Sequence, residues 1–292
     1  MREVQPEAKC YCTAIDMKRD MSKSDYAVVL EKLKRENALD LGSRFIYHPY
    51  TANPDTSYEA GDGQFGWQMA LPLRRLVKSY SASFDIMQGE VGCPGQLEFA
   101  HALAEIEWTE YSQAKWNLRR AIGDAVRSIP SNLFTMIDLQ YTFMLQSFGL
   151  VRSNTLKEFV YRRPSWYAMR NVYALFDDDT LPESHQEVKC GDRTLSCNRF
   201  SREGNPLCVY WFCEAQPTSD LTFESIDLEV PGELEDPVWV DLMTGRMFEI
   251  PAANVVRRSN GLMLKDVPMW DSPVLIAPRT AVPLAPHYTG GR

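Results

Sequence analysis

Phe84-Asp85-Ile86-Met87-Gln88-Gly89-Glu90-Val91-Gly92-Cys93-Pro94-Gly95 is the stretch on which the reading of this chain turns. A short apolar-leaning run ends in one carboxylate, and Gly92, Pro94 and Gly95 follow at once. Alternate residues of an extended strand face opposite sides. Ile86, Gln88 and Glu90 therefore share one face, and Met87, Gly89 and Val91 the other. The glycines and the proline then stop the strand. A carboxylate at the C-terminal tip of a buried strand is where a (β/α) barrel keeps its chemistry. A solvated strand-end glutamate before a turn has the same local pattern, so the flanking sequence has to decide.

On the N-terminal side, residues 8–16 (AKCYCTAID) read as a strand ending at Asp16. Ser22 to Asp25 has the spacing of a capping box. Tyr26, Val29, Leu30 and Leu33 follow at helical spacing, which predicts a helix over 25–38. Residues 44–50 (RFIYHPY) read as a second strand, and a polar loop leads to a helix over 67–80 with Pro72 near its first turn. The opening stretch is then the third strand, 83–91.

On the C-terminal side, Thr109 is a plausible N-cap. Tyr111, Ala114, Leu118, Ala121, Ile122 and Ala125 form one stripe of the clearest helix in the chain. Residues 133–141 (LFTMIDLQY) read as a fourth strand, ending at Asp138 and Tyr141. A loop follows, and residues 164–175 form a fourth helix with Pro164 at its start. Arg162 and Arg163 read as surface charge. Four strand-then-helix units in succession argue for a parallel sheet with helices packed on it.

The texture changes near residue 177. Short β-rich runs at 186–190, 194–200, 206–213, 225–230, 237–243, 246–250, 261–266 and 273–277 are separated by turn residues. Such spacing predicts an antiparallel sandwich, with 208–213 (CVYWFC) as a buried central strand. The fold class is thus α/β plus all-β, divided into 1–177 and 178–292.

The 292 residues leave room for one large domain or two medium ones, and 45% apolar with 24% charged content is ordinary for a globular protein. A net charge of −8 disfavours nonspecific nucleic-acid binding. No apolar run is long enough to cross a bilayer, and the N-terminal MREVQPEAKCYC has no apolar signal core. Seven cysteines are present, and neither Cys10/Cys12 nor Cys208/Cys213 has zinc spacing, so free thiols and no metal or cofactor are expected. P-loop, Gly-x-Ser-x-Gly and His-Glu-x-x-His signatures do not occur.

Tyr47-His48-Pro49-Tyr50 on one strand is followed by Gln88 to Gly92 on the next. Then come Trp108 to Lys115 (WTEYSQAK), the helix start Arg163 to Ala168 (RPSWYA), and Val240 to Gly245 (VDLMTG) among the later strands. In order and spacing these resemble the C-terminal part of a clan-A glycoside hydrolase of the β-xylosidase/iduronidase-like kind, over roughly residues 8–278. The resemblance implies a partial (β/α)₈ barrel, about strands five to eight, followed by a C-terminal β-sandwich. It implies retaining hydrolysis of O-glycosidic bonds with Glu90 as the catalytic nucleophile. A carboxylate close to its partner acid can attack the anomeric carbon of an oxocarbenium-like transition state directly. His48 and Tyr50 would orient Glu90 or contact a sugar hydroxyl, Trp108 would stack on a sugar face, and Tyr141 would stand at the end of strand eight. Packing of His48, Tyr50 and Trp108 into the fold is the competing role.

The chain departs from that family in one respect. The family's acid/base comes from strand four, usually as an Asn-Glu pair, and no Asn-Glu dipeptide occurs here. A retaining hydrolase needs a proton donor as well as a nucleophile. Asp16 is a weak substitute, because a strand-end Asp is commonly a turn residue. The expectation is a fragment that lacks the acid/base half and is inactive alone, with a glycoside substrate and the missing half-barrel as partners. The alternative function is a noncatalytic carbohydrate-binding or structural module, using Trp239 or Trp270 as an exposed platform.

Overall fold

The computed structural model describes residues 10–13, 20–58 and 70–283. By packing, the chain falls into two compact units, 1–91 with 129–134, and 92–128 with 135–292. The change of texture at residue 177 is a change of secondary structure inside the second unit. Asp16 and the predicted first turn of the 67–80 helix lie outside the described residues. No helix of the described residues is long and apolar enough to cross a membrane.

The first unit holds β1 (Cys10–Thr13), α1 (Asp25–Arg35), β2 (Gly42–Tyr47), α2 (Ala70–Tyr80), β3 (Asp85–Val91) and, from its second segment, β4 (Ser131–Leu133). The four strands form one sheet in chain order, each pair parallel. That is the order expected when each strand is followed by a covering helix. Helix α1 starts at Asp25, as read from the sequence, and ends at Arg35, short of the expected 38. Ser24, not Ser22, is the N-cap and accepts from the Ala27 N–H, while Asp20 caps a preceding 3-10 turn at Met21–Lys23. Tyr26 and Leu30 from α1 and Leu73 and Val77 from α2 pack with Phe45, Tyr47, Phe84 and Ile86 of the strand faces into one core. Burying these side chains contributes roughly 1.5–3 kcal/mol each before conformational entropy is charged against it.

The predicted fourth strand is largely replaced. Only β4, three residues long, joins the parallel sheet. Residues 135–151, in the second unit, fold back on themselves. Thr135 N–H donates to Phe148 O at 3.3 Å and Leu150 N–H to Thr135 O at 3.0 Å. Strands β5 (Leu139–Gln140) and β6 (Leu145–Gln146) close a hairpin. A hairpin pays little loop-closure entropy, so local pairing replaces continuation of the sheet. The expected loop up to residue 163 also contains β7 (Val151–Ser153) and β8 (Phe159–Arg162), an antiparallel pair.

The second unit is built on α3 (Glu110–Val126) and α4 (Pro164–Leu175), which pack on one another. Thr109 is the N-cap of α3, in a reciprocal capping box with Ser112. The amphipathic stripe is corrected, because Tyr111 is exposed while Lys115, Arg119, Arg120 and Asp124 are buried. Arg119 donates to the carbonyls of Asp271 and Ala215, each at 2.8 Å, and Arg120 pairs with Asp124 at 2.7 Å. Burial works to lower the Lys115 pKa against the pull of Asp271, and the net direction is down. Buried cations are held where carbonyls and carboxylates meet them, so polarity does not mark the outer face of this helix.

The later strands are β9 (Thr180–Cys190), β10 (Arg193–Arg202), β11 (Asn205–Phe212), β12 (Glu224–Pro231), β13 (Pro237–Asp241), β14 (Arg246–Glu249), β15 (Val255–Arg258), β16 (Gly261–Met269) and β17 (Val274–Pro278). They form a six-stranded sheet in the order β14-β13-β17-β11-β10-β9 and a three-stranded sheet in the order β12-β16-β15, both antiparallel. Strand β11 is central and buried on both faces over its last six residues, as its sequence suggested. Strand β15 was not foreseen, since Val255 to Arg258 is half charged and mostly exposed.

Trp239 and Trp270 are not exposed platforms. They are 7% and 4% exposed, Trp239 donates its indole N–H to Pro268 O at 3.0 Å, and Phe223 covers the Trp270 ring at 4.4 Å. Large aromatics placed between sheets bury more area than any other residue, which explains the misassignment. The VDLMTG motif is a turn. The Asp241 carboxylate accepts from Met243 N–H at 2.9 Å and Thr244 Oγ1 at 2.6 Å, and Gly245 takes φ +74°.

Candidate active site

Glu90 is half-buried near the C-terminal end of β3. Its partner comes from the chain just beyond β2. That strand ends at Tyr47, short of the predicted 50, because Pro49 has no N–H to continue the ladder. Tyr50 N–H instead donates to His48 O at 3.1 Å, a three-residue γ-turn with Pro49 at its centre. The turn aims the phenol back across the sheet, and Tyr50 Oη donates to Glu90 Oε1 at 2.8 Å.

The strand at Glu90 is irregular. Gln88 is opposite Ser131 and Val91 is opposite Leu133, so Gly89 and Glu90 share one step of the ladder. This extra residue breaks the strict alternation read from the sequence and re-aims the side chains after Gln88. Asn132 pins the bulge by donating from its N–H to Gln88 Oε1 at 2.8 Å and from Nδ2 to Gly89 O at 3.3 Å. Gly89 is required there, because a Cβ would stand 2.2 Å from Ile46 Cγ2 and 3.3 Å from His48 Nε2. His48 is thus beside the bulge, with an exposed side chain.

Chemically, a carboxylate with one oxygen held by a phenol is oriented, and its second oxygen can attack. Among the described residues of this unit no second carboxylate is hydrogen-bonded into the Glu90–Tyr50 pair. No group of three or more His, Cys, Asp or Glu side chains among the described residues is arranged to hold a metal ion.

The other predicted residues belong to the second unit. Trp108 is 3% exposed and donates its indole N–H to Leu103 O at 3.0 Å, so its ring is taken up by the interior. Tyr141 is half-buried in the hairpin and stacks on His101, ring centroids 4.6 Å apart. Asp138 is not a free strand-end carboxylate. It accepts from Gly149 N–H at 3.0 Å and Ser153 N–H at 3.1 Å, and pairs with Arg163 Nη1 at 2.6 Å. Arg163, read as surface charge, is fully buried and also meets Glu110 at 2.9 Å. The Pro164 helix start was legible, but nothing local announces that the residue before it reaches back 25 positions to Asp138. Cys93, Cys190, Cys197 and Cys208 are free thiols, and burial pushes the Cys93 thiol well above its usual range.

No family model matches this sequence, and no curated protein matches it. Among solved structures, a glycoside hydrolase family 5 protein from Bacteroides vulgatus ATCC 8482 matches with 11% identity and a TM-score of 0.43. The match covers 92% of this chain and 62% of that one, so this chain spans less than two thirds of its length. It is a distant structural neighbour, and the described strands of this chain form no closed barrel.

Proposed function

We propose that this chain carries the nucleophile side of a retaining O-glycoside hydrolase, with Glu90 as the nucleophile and Tyr50 holding it in place. The observation that carries the reading is the 2.8 Å hydrogen bond from Tyr50 Oη to Glu90 Oε1 near the C-terminal ends of adjacent parallel strands. In the finer architecture of this reading, β1 to β4 are four strands of a (β/α) barrel and β9 to β17 its appended β-sandwich, with the division at 177.

Tyr50 keeps one carboxylate oxygen engaged, which leaves the other to form the bond to the anomeric carbon as the leaving group departs. As the glycosyl ester forms, Glu90 loses its charge and the phenol hydrogen bond weakens. Tyr50 then has to hold the ester for water attack. In this reading the exposed His48 beside Gly89 meets a sugar hydroxyl. The proton donor is assigned to the partner half of the barrel.

A test can be made independent of the proton donor. A 2,4-dinitrophenyl 2-deoxy-2-fluoroglycoside has a leaving group that departs without protonation, so it reads the nucleophile alone. The xyloside and glucoside are expected to add a fluoroglycosyl mass to the Glu90 peptide. Glu90→Gln is expected to abolish that label, and Tyr50→Phe to slow it. A label on any other carboxylate, or undiminished labelling of Glu90→Gln, refutes the assignment. Ordinary alkyl glycosides should not be turned over by the 292-residue chain.

A further inference from the structure

Strict alternation would put Glu90 on the wrong face of β3. Ile86 and Gln88 are wholly buried, and their partners on β2, Phe45 and Tyr47, belong to the core shared with α1 and α2. Glu90 lies two residues beyond Gln88, and a regular strand would turn its carboxylate toward the same core. The bulge at Gly89–Glu90 releases it to the half-buried position where Tyr50 Oη meets it at 2.8 Å. A ladder with one extra residue can slip back into regular pairing, and a slip of one residue moves every later side chain to the other face. The bulge therefore needs a device that holds it.

Gln88 carries an anomaly that such a device explains. Its side chain is 0% exposed, yet its Nε2 has no hydrogen-bond partner. A buried unpaired amide is destabilising, and an apolar residue would fill the same volume without that cost. The other end of the amide is in use. Gln88 Oε1 accepts from Asn132 N–H of β4 at 2.8 Å, and that donor fixes which end of the amide faces β4. Asn132 then reaches over the bulge and gives Nδ2 to Gly89 O at 3.3 Å. On either side of this step the backbone is paired, Gln88 N–H with Pro130 O and Phe134 N–H with Val91 O, each at 2.9 Å. The Gln88–Asn132 clip thus spans the one irregular step between β3 and β4.

We propose that Gln88 is a positioning residue: its amide, clipped to Asn132, holds the bulge open and so keeps the Glu90 carboxylate on Tyr50. It acts through the backbone of Gly89 and Glu90 and not on the reacting atoms. Its effect on rate rests on the nucleophile reading of Glu90 above. Its geometric part, Glu90 held on Tyr50, is independent of that reading and has its own readout.

The experiment is carbon NMR of the full chain labelled at tyrosine Cζ, with fluoroglycoside labelling of Glu90 in parallel. The Tyr50 resonance is identified by its loss in Tyr50→Phe, and Glu90→Ala sets its position without the acceptor. Gln88→Met keeps the length of the side chain and removes both the acceptor and the orphan donor. It is expected to move the Tyr50 resonance to the Glu90→Ala position and to slow labelling on the order of 100-fold. Its thermal midpoint should stay at or above the parent's, because Asn132 is exposed and its N–H can turn to water. Gln88→Glu presents an acceptor oxygen in either protonation state and is expected to restore both the resonance and the labelling. The proposal is overturned if Gln88→Met leaves the Tyr50 resonance in place, fails to fold, or labels within about threefold of a parent that does label. Failure of Gln88→Glu to restore either readout overturns it as well. The two readings separate. A labelled parent with an unmoved resonance in Gln88→Met sinks the clip alone. A moved and restored resonance with a parent that is never labelled leaves the clip standing and removes the nucleophile.

Discussion

Replacing Arg163 by methionine keeps the stem and removes the charge, and it should be among the most damaging single substitutions in the second unit. Arg163 is fully buried and gives Nη1 to Asp138 Oδ1 at 2.6 Å, Nη2 to Asp138 Oδ2 at 3.1 Å, Nη1 to Gly149 O at 2.6 Å and Nε to Glu110 Oε1 at 2.9 Å. Burial works to lower the Arg163 pKa, but Asp138 and Glu110 outweigh it and the net direction is up. The cation is therefore better held in the fold than in water. Removing it leaves the buried Asp138 carboxylate with the Gly149 and Ser153 amides and a long, 4.0 Å contact to the part-exposed Arg152. Breaking a buried pair from one side costs about 3–5 kcal/mol. With a urea m-value on the order of 3 kcal/mol/M, the midpoint should fall by about 1–1.7 M. Adding Asp138→Leu to Arg163→Met removes the stranded charge and should recover part of that loss, which a double-mutant cycle reads directly. Urea titration followed by tryptophan fluorescence and far-UV circular dichroism is the assay. An Arg163→Met protein within about 1 kcal/mol of the parent refutes the reasoning, because surface ion pairs are worth no more than that.

The remaining predictions concern backbone space and pH. Gly149→Ala should disturb the same cradle, since its Cβ would stand 2.4 Å from Asp138 N and 2.6 Å from Val151 O, backbone atoms that cannot swing away; a loss above about 2 kcal/mol is expected in urea titration. Gly89→Ala should cost about 1–3 kcal/mol through its contact with Ile46 and slow fluoroglycoside labelling of Glu90; unchanged labelling would show that the bulge does not aim the carboxylate. His185 is held near a pKa of about 4, below its usual 6.5, by burial first and the Arg127 charge second, against its hydrogen bond to Asn198. Between pH 6.5 and about 4 the unfolded chain takes up a proton that the fold refuses, so stability falls as pH drops through that window and is unaffected by His185 above it. Solvent screening at this half-buried site limits the effect to on the order of 1 kcal/mol. Thermal midpoints at pH 7 and pH 4.5 should therefore converge in His185→Phe, and an unchanged difference argues against it.

How legible the molecule was depended on the range of the interaction. Helix α4 begins at Pro164 and ends at Leu175 as its sequence says, and Thr109 caps α3, because both signals lie within one turn of the residues they act on. The parallel order of β1 to β4 follows from strand–helix alternation, a pattern spread along the chain itself. Burial of polar residues on α3 gave no such signal. Lys115, Arg119 and Arg120 look like an outer face until the carbonyls and carboxylates that receive them are in place.

Sequence alone determined that Glu90 stands near the end of a strand before a Gly-Cys-Pro-Gly stop, and that a His-Pro-Tyr segment ends the strand before it. Strand propensity, glycine and proline act locally, so those facts need no partner. The tertiary structure alone decided what each group faces. It turned Tyr50 onto Glu90 through a proline-centred γ-turn, shifted the carboxylate by a bulge that breaks the alternation, ended β4 at Leu133 in favour of a hairpin, and buried Arg163 against Asp138. Each of these joins residues that are distant in sequence, and the free energy that selects them comes from desolvation and pairing that exist only once the chain has folded.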